Sequence, residues 1–169
     1  AFTVGLEDRR EGAAALHDVS IPRRSPATHA VDWYLDVLRF LQVPVHDDFV
    51  WMPERPEIAR QVALKWPVHG RDWVCLQPGA RWLNKRWPLE SFGMLVRELQ
   101  RRRPDLGFAI LGSKEDMDLG SQLAAQFDPS SVVDLTGRTS LLEMVEWLRI
   151  CRVMVTNDTG PMHVAAALG

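Results

Sequence analysis

The chain has 169 residues, near the usual size of one domain, and its 46% apolar and 25% charged residues argue for a packed core and against disorder. A formal net charge of −2 gives no electrostatic case for a nucleic-acid partner, which calls for a basic face. No apolar stretch is long enough to span a bilayer and no segment reads as a signal peptide, so a cytoplasmic protein is expected.

Phe2 to Leu6 reads as a short strand, followed by a charged turn and the polar loop "SIPRRSPATHA". From Thr28 or His29 to Gln42 the pattern is helical, with Val31, Trp33, Tyr34, Leu35, Leu38 and Leu41 in one stripe, Thr28 as cap and Val43-Pro44 as stop. A second helix is expected from Pro56 to Lys65, ending at Trp66-Pro67. From Asp72 onward strands and helices alternate. Strands are predicted at Trp73–Gln77, Gly107–Leu111, Val132–Leu135 and Arg152–Thr156. Helices are predicted at Leu89–Arg102, Lys114–Phe127, Ser140–Ile150 and Pro161–Leu168. Ser140 and Glu143 form a capping box, and Pro88 and Pro161 suit helix starts. Short apolar strands separated by helices predict an α/β fold: a Rossmann-like parallel sheet with right-handed crossovers and helices on both faces.

The 2 cysteines, Cys75 and Cys151, are far apart in sequence, form no Cys-x-x-Cys pair, and read as core thiols in a reducing compartment. Of the 7 tryptophans, Trp33, Trp51, Trp66, Trp73 and Trp147 read as packing residues. Trp82 and Trp87 fall in the loop that the chemistry below singles out.

Ligands of open parallel sheets bind beyond the carboxyl ends of the strands, near the switch in strand order. The loops "PGARWLNKRWP", "LGSKED", "LTGRTS" and "TNDTGPMH" all lie at such ends, which makes a pocket there the expectation. Lys85 precedes the helix opened by Pro88, where free N–H groups and a lysine together make an anion site. By frequency alone it reads as a surface lysine, but Trp87-Pro88, with a fixed φ and a buried indole, would hold its loop still. Asp158-Thr159-Gly160-Pro161 is a well-made helix start, with Asp158 or Thr159 as cap and Gly160 open to close backbone approach. His163, one turn on, is the residue that a helix start does not account for.

Glu115 and Asp116 suit a helix start through the dipole, and either carboxylate suits ribose hydroxyls. The acid pair Asp116 and Asp118 does not read as a metal site, because successive positions of a helical turn point in different directions. No zinc spacing, nucleophile elbow, Walker loop or Gly-x-Gly-x-x-Gly motif is present. Arg101-Arg102-Arg103 reads as solvated surface at a helix end.

In this order the motifs resemble glycosyltransferase family 9, the heptosyltransferases of the lipopolysaccharide inner core. The resemblance rests on "HAVDWYLDVLRFL" (29–41), "LQPGARWLNKRWPLESF" (76–92), "LGSKED" (111–116), "DLTGRTSLLEMVEWLRIC" (134–151) and "VTNDTGPMHVAAALG" (155–169). It implies one half of a GT-B architecture of two Rossmann-like domains. Residues 1–28 match loosely as the tail of the acceptor domain, 29–71 are a helical linker region, and 72–169 are the nucleotide-sugar donor domain. With Ala1 in place of Met at the start and Gly169 at the close, the chain is expected to be incomplete at both ends.

The resemblance also implies roles. Lys85 is similar to the lysine on the donor diphosphate, and Asp158 to the acid that contacts the transferred heptose. These two are the expected catalytic residues. Thr159, Gly160 and His163 surround the phosphates, Glu115 or Asp116 takes the ribose, and Thr139 and Ser140 hold the nucleoside. Ala80 and Arg81 stand where some members carry hydroxyl residues near the phosphates. The implied reaction is inverting transfer of heptose from ADP-heptose, with no metal and no separate cofactor, to a lipid-linked core acceptor. That acceptor would be reached through the other domain, peripheral to the inner membrane, with no nucleic-acid partner. The family's general base lies in that other domain, so the chain alone is expected not to catalyse transfer. Alternative readings are another GT-B sugar-nucleotide transferase, a nucleotide-sugar 2-epimerase, or a non-catalytic nucleotide-sugar binding module.

Overall fold

The computed structural model describes residues 1–8, 12, 15–46, 52–66 and 68–169, and the chain divides into two units between residues 50 and 51. In the first unit β1 (Val4–Leu6) pairs in parallel with β2 (Val19–Ile21), Val4 opposite Val19. Asp18 staples the pair at its start, its carboxylate accepting from the Thr3 N–H at 2.7 Å and the Thr3 hydroxyl at 2.9 Å. β2 overlaps the segment expected to be loop. Three residues with Ser20 at the centre are too short to show alternation, and the strand owes its existence to its partner.

α1 (Ala30–Phe40) follows. Its cap is His29, whose Nδ1 accepts from the Val31 N–H at 3.3 Å. Thr28, the expected cap, turns its hydroxyl back to accept from the Ser25 N–H at 3.0 Å. The stripe is anchored through Trp33, whose indole N–H donates to the Ile21 carbonyl at 2.9 Å, while Val31, Tyr34, Leu38 and Leu41 stay exposed.

The second unit holds α2 (Pro56–Lys65), β3 (Trp73–Gln77), α3 (Leu89–Arg102), β4 (Gly107–Ile110), α4 (Met117–Ala124), β5 (Val132–Asp134), α5 (Leu141–Ile150), β6 (Cys151–Thr156) and α6 (Gly160–Leu168). The four strands form one sheet in the order β5-β4-β3-β6, every pairing parallel. The helix expected over 114–127 is shorter. A 3-10 turn at Lys114–Asp116 precedes α4. Beyond Ala124 the bonds tighten to Gln126 N–H on Leu123 and Phe127 N–H on Ala124, as the chain approaches Asp128-Pro129, where helix is disfavoured.

Strand alternation divides the core in two. Trp73 and Cys75 in β3, with Ala109 and Leu111, meet Val62 of α2, Trp147 and Leu148 of α5, and Val164 and Leu168 of α6. Val74 and Leu76, with Phe108 and Ile110, meet Phe92 and Val96 of α3 and Leu123 of α4. Helices therefore cover both faces, as expected for this fold class. α2, assigned to a linker over 29–71 by the sequence, packs within the second unit: Val62 is fully buried, and Lys65 Nζ donates to Glu143 of α5 at 2.7 Å. That anchorage moves the boundary from the expected 71/72 to 50/51.

Trp73 and Trp66 pack edge-on against Trp147, at ring separations of 5.3 and 6.0 Å, so the packing role expected of these three tryptophans is what they have. Trp51 lies outside the described residues. Cys75 and Cys151 come together on neighbouring strands with Sγ atoms 2.8 Å apart. The Cys151 thiol beside it, and then burial, push the Cys75 thiol well above its ordinary range. β6 is the half-exposed outer strand of the described sheet, with Val153 open to solvent.

Trp147 joins α5, β3 and the end of α2 through one fully buried side chain. Trp147→Ala is expected to cost about 3–5 kcal/mol in urea unfolding followed by far-ultraviolet circular dichroism.

Candidate functional site

From β3 the chain steps outward to β4 and β5, then returns to place β6 on the other side of β3. The switch in strand order therefore lies between β3 and β6, where open parallel sheets form their crevice. A cavity of about 660 Å³ opens beyond the carboxyl ends of the strands there. Each of the four punctuated loops contributes to its wall. Gln77 comes from the end of β3, Gly79, Ala80, Arg81 and Arg86 from the loop after it, and Gly112, Ser113, Glu115 and Asp116 from that after β4. Thr139, Ser140, Leu141 and Met144 come from the start of α5, and Thr159 and Pro161 from the start of α6.

Of the residues singled out in the sequence, Ala80, Arg81, Glu115, Asp116, Thr139, Ser140 and Thr159 thus line one cavity. Lys85, Asp158, Gly160 and His163 are not among its lining residues, although their chain neighbours Arg86, Thr159 and Pro161 are. Lys85 ends a 3-10 turn (Leu83–Lys85), and its Nζ donates to Asp158 Oδ2, closing an ion pair between two exposed side chains. That hydrogen bond, then the lysine charge, holds the Asp158 carboxyl below its ordinary value, with a smaller contribution from His163.

The two neighbouring acids differ in their commitments. Asp116 is buried and closes a capping box, its Oδ2 accepting from the Ser113 N–H at 2.9 Å and the Ser113 hydroxyl at 2.8 Å. A Cβ on Gly79 would lie 2.2 Å from Asp116 Oδ1, so the close approach of these two loops requires glycine there. Glu115 is exposed on the cavity wall, and the Ser113 hydroxyl, then its own backbone N–H, lowers its pKa. Ser140 is likewise occupied by capping: its hydroxyl accepts from the Glu143 N–H at 3.2 Å and its own N–H donates to Glu143 Oε2 at 2.7 Å. Lys65 is the main reason the Glu143 carboxyl stays below its usual range.

Two expected features take another form. Neither Asp158 nor Thr159 caps α6 with its side chain; the Thr159 hydroxyl lies 3.3 Å from that of Thr156. A Cβ on Gly160 would meet nothing within 4 Å, so the protein's own packing does not demand that glycine. The Trp87 indole is 45% exposed rather than buried, with its ring edge-on to Phe92 at 5.0 Å.

The residue that holds the Lys85 loop is one that sequence reasoning passed over. Asn157 is buried; its Oδ1 accepts from the Trp87 N–H at 2.9 Å, and its Nδ2 donates to the Pro78 carbonyl at 2.8 Å. Arg86 adds a second tie inside the same loop, Nε donating to the Ala80 carbonyl at 2.8 Å. Arg86 has a local signal, as a cation beside Lys85. Asn157 has none beyond its place at the end of a strand.

The sequence profile of glycosyltransferase family 9 (heptosyltransferase) matches residues 2–169. The chain belongs to glycosyltransferase family 9. It is 32% identical over 142 residues to lipooligosaccharide heptosyltransferase 2 of Haemophilus ducreyi, covering 75% of this chain and 40% of that protein. It is 35% identical over 104 residues to lipopolysaccharide heptosyltransferase 2 of Escherichia coli, covering 58% and 29% respectively. The solved structure of E. coli ADP-heptose LPS heptosyltransferase II superposes with a TM-score of 0.65 at 26% identity, over 76% of this chain and 40% of that one. The family 9 chain therefore spans less than half the length of these relatives. Among the described residues no helix is long and apolar enough to cross a membrane.

Removing the Asn157 side chain strands the Trp87 N–H and the Pro78 carbonyl in a buried place. Asn157→Ala should cost about 1–3 kcal/mol in chemical unfolding. Asn157→Asp should not restore the loss, since an oxygen would then face the Pro78 carbonyl. For the ion pair, the lowered pKa of Asp158 means that its small contribution is present above the ordinary carboxylate pKa. It is lost as pH falls through the folded value. Lys85→Ala should return the Asp158 pKa toward 3.8, read by NMR titration of the carboxyl carbon.

Proposed function

We propose that this chain holds the nucleotide-sugar donor of an inverting, metal-independent glycosyltransferase that moves heptose from ADP-heptose to the lipopolysaccharide inner core. Family membership and the names of the relatives support the reaction class. The observation that carries the donor assignment is the zoning of the cavity. Arg81 and Arg86 stand in the loop after β3, and Thr159 and Pro161 at the start of α6; Ser113 and Glu115 stand after β4; Leu141 and Met144 come from α5. Cations and free helix-start N–H groups suit a diphosphate, a carboxylate suits paired ribose hydroxyls, and apolar side chains suit a base.

On this reading Lys85 leaves Asp158 for the donor diphosphate and stabilises the charge that develops as the glycosidic bond to the leaving group breaks. Arg81 assists as a cation where Ala80 offers only backbone. Asp158, ionised, accepts heptose hydroxyls, and Thr159, Gly160 and His163 stand about the phosphates. Glu115 takes the ribose, because Asp116 is spent on the capping box. Thr139 and Ser140 border the nucleoside. Inversion requires a general base on the acceptor hydroxyl. We place that base, and the site for the lipid-linked acceptor at the membrane surface, in the part of the enzyme that these relatives have beyond the matched region.

The test is calorimetric titration of the chain with ADP and with UDP, each with and without EDTA. ADP is expected to bind at least about tenfold more tightly, a difference of roughly 1.4 kcal/mol, and EDTA to change nothing. A preference for UDP would move the reading to another sugar-nucleotide transferase or a 2-epimerase. Binding that disappears with EDTA would remove metal independence.

A further inference from the structure

Gln77 closes β3, the central strand of the switch, and its side chain is 4% exposed. It lines the cavity. Its Oε1 is buried and, among the described residues, has no hydrogen-bond partner. Alternation along β3 puts it on the face of Trp73 and Cys75, which α5 and α6 cover. Those two helices bring Met144, Thr159 and Pro161 to the same cavity. A buried amide oxygen left unmatched costs about 1–3 kcal/mol, and such exceptions in folded proteins call for an explanation. A carbonyl oxygen can only accept. An ionised diphosphate has no hydrogen to offer it, and would be repelled. The complement of this atom is an O–H or N–H group, which nucleotide sugars carry on the ribose, the base amine and the sugar.

Resting on the donor reading of the cavity, we infer that Gln77 is a specificity-determining residue: its Oε1 accepts a hydrogen bond from a hydroxyl or amine of the bound nucleotide sugar. Gln77 lines the cavity at the end of the strand beside which β6 and the Asn157 clamp are fixed. Its position is therefore set before the ligand arrives, which is what a discriminating contact requires.

The test compares the unsubstituted chain with Gln77→Met, which keeps length and burial and removes the acceptor. Each is titrated with ADP and with ADP-heptose, and its thermal midpoint is measured without ligand. The expected result is a midpoint equal to or above the parent, since an unmatched polar atom has been replaced by an apolar one, together with about tenfold weaker binding. A loss already complete with ADP assigns the contact to the nucleoside; a loss seen only with ADP-heptose assigns it to the sugar. Parental affinity for both ligands in Gln77→Met would overturn the proposal and leave the donor reading standing. A lowered midpoint with weakened binding would overturn it in favour of a structural role. If the unsubstituted chain binds neither ligand, the donor reading falls and the proposal with it.

Discussion

The site depends on one side chain that joins two strand ends. β3 and β6 are neighbours in the sheet but more than seventy residues apart in the chain, and hydrogen bonding along the strands stops where the loops begin. Beyond that point Asn157 takes over. Its amide donates to the loop that leaves β3 and its carbonyl accepts from the backbone just before α3. A carboxamide carries both a donor for a carbonyl and an acceptor for an N–H at one buried position. The consequence is that the Gly79–Arg81 turn, the Lys85 turn and the start of α6 are held in one frame. Gln77, Ala80 and Arg86 inherit their positions from it.

Electrostatics are arranged on that frame rather than creating it. Lys85 and Asp158 are both well exposed, and ion pairs of this kind contribute little to stability. The pair sets a cation and a carboxylate next in the chain to Arg86 and Thr159, which line the cavity. The lysine favours the charged form of Asp158 and holds its carboxyl below the ordinary value, and on the proposed donor reading the pair would divide between a diphosphate and sugar hydroxyls. Arg86 is placed differently: its guanidinium is tied by Nε to the Ala80 carbonyl, which orients the remaining N–H groups while leaving its charge unpaired by any carboxylate among the described contacts. On the proposed donor reading, a fixed cation and an exchangeable one would meet charge both on binding and as it develops.

The second unit was largely legible from its sequence because its signals are local and repeated. β3 at Trp73–Gln77 and α3 at Leu89–Arg102 fall on their predicted bounds, since each combines an unambiguous period with a proline or glycine at its end. The capping box of Ser140 and Glu143 was readable for the same reason. What escaped was decided by distant partners. β2 exists because β1 lies beside it; α2 belongs to the second unit because Val62 and Lys65 meet α5; the cysteines meet because β6 pairs with β3. Within the site, the loops were readable as loops, but which of their side chains face inward follows from strand parity and from the Asn157 clamp. No local pattern encodes either.

The adjacent acids after β4 show how such a site divides structural from chemical work between neighbours of the same charge. The sequence offered Glu115 and Asp116 as equivalent. Folding distinguishes them through reach: the shorter side chain fits under the turn and closes the capping box with Ser113, against a Gly79 that has no room for a Cβ. The longer one is left on the cavity wall with its carboxylate toward solvent. Burial then fixes their roles. Asp116 satisfies backbone and hydroxyl donors that would otherwise be stranded, and exchanging them for a ligand would cost about 1–3 kcal/mol for each donor left unmet. Glu115, exposed, has its local donors in the Ser113 hydroxyl and its own backbone N–H and keeps the rest of its carboxylate to solvent. The acid able to change partners cheaply is the one suited to binding, and the acid that cannot is what keeps the two loops of the cavity wall in contact.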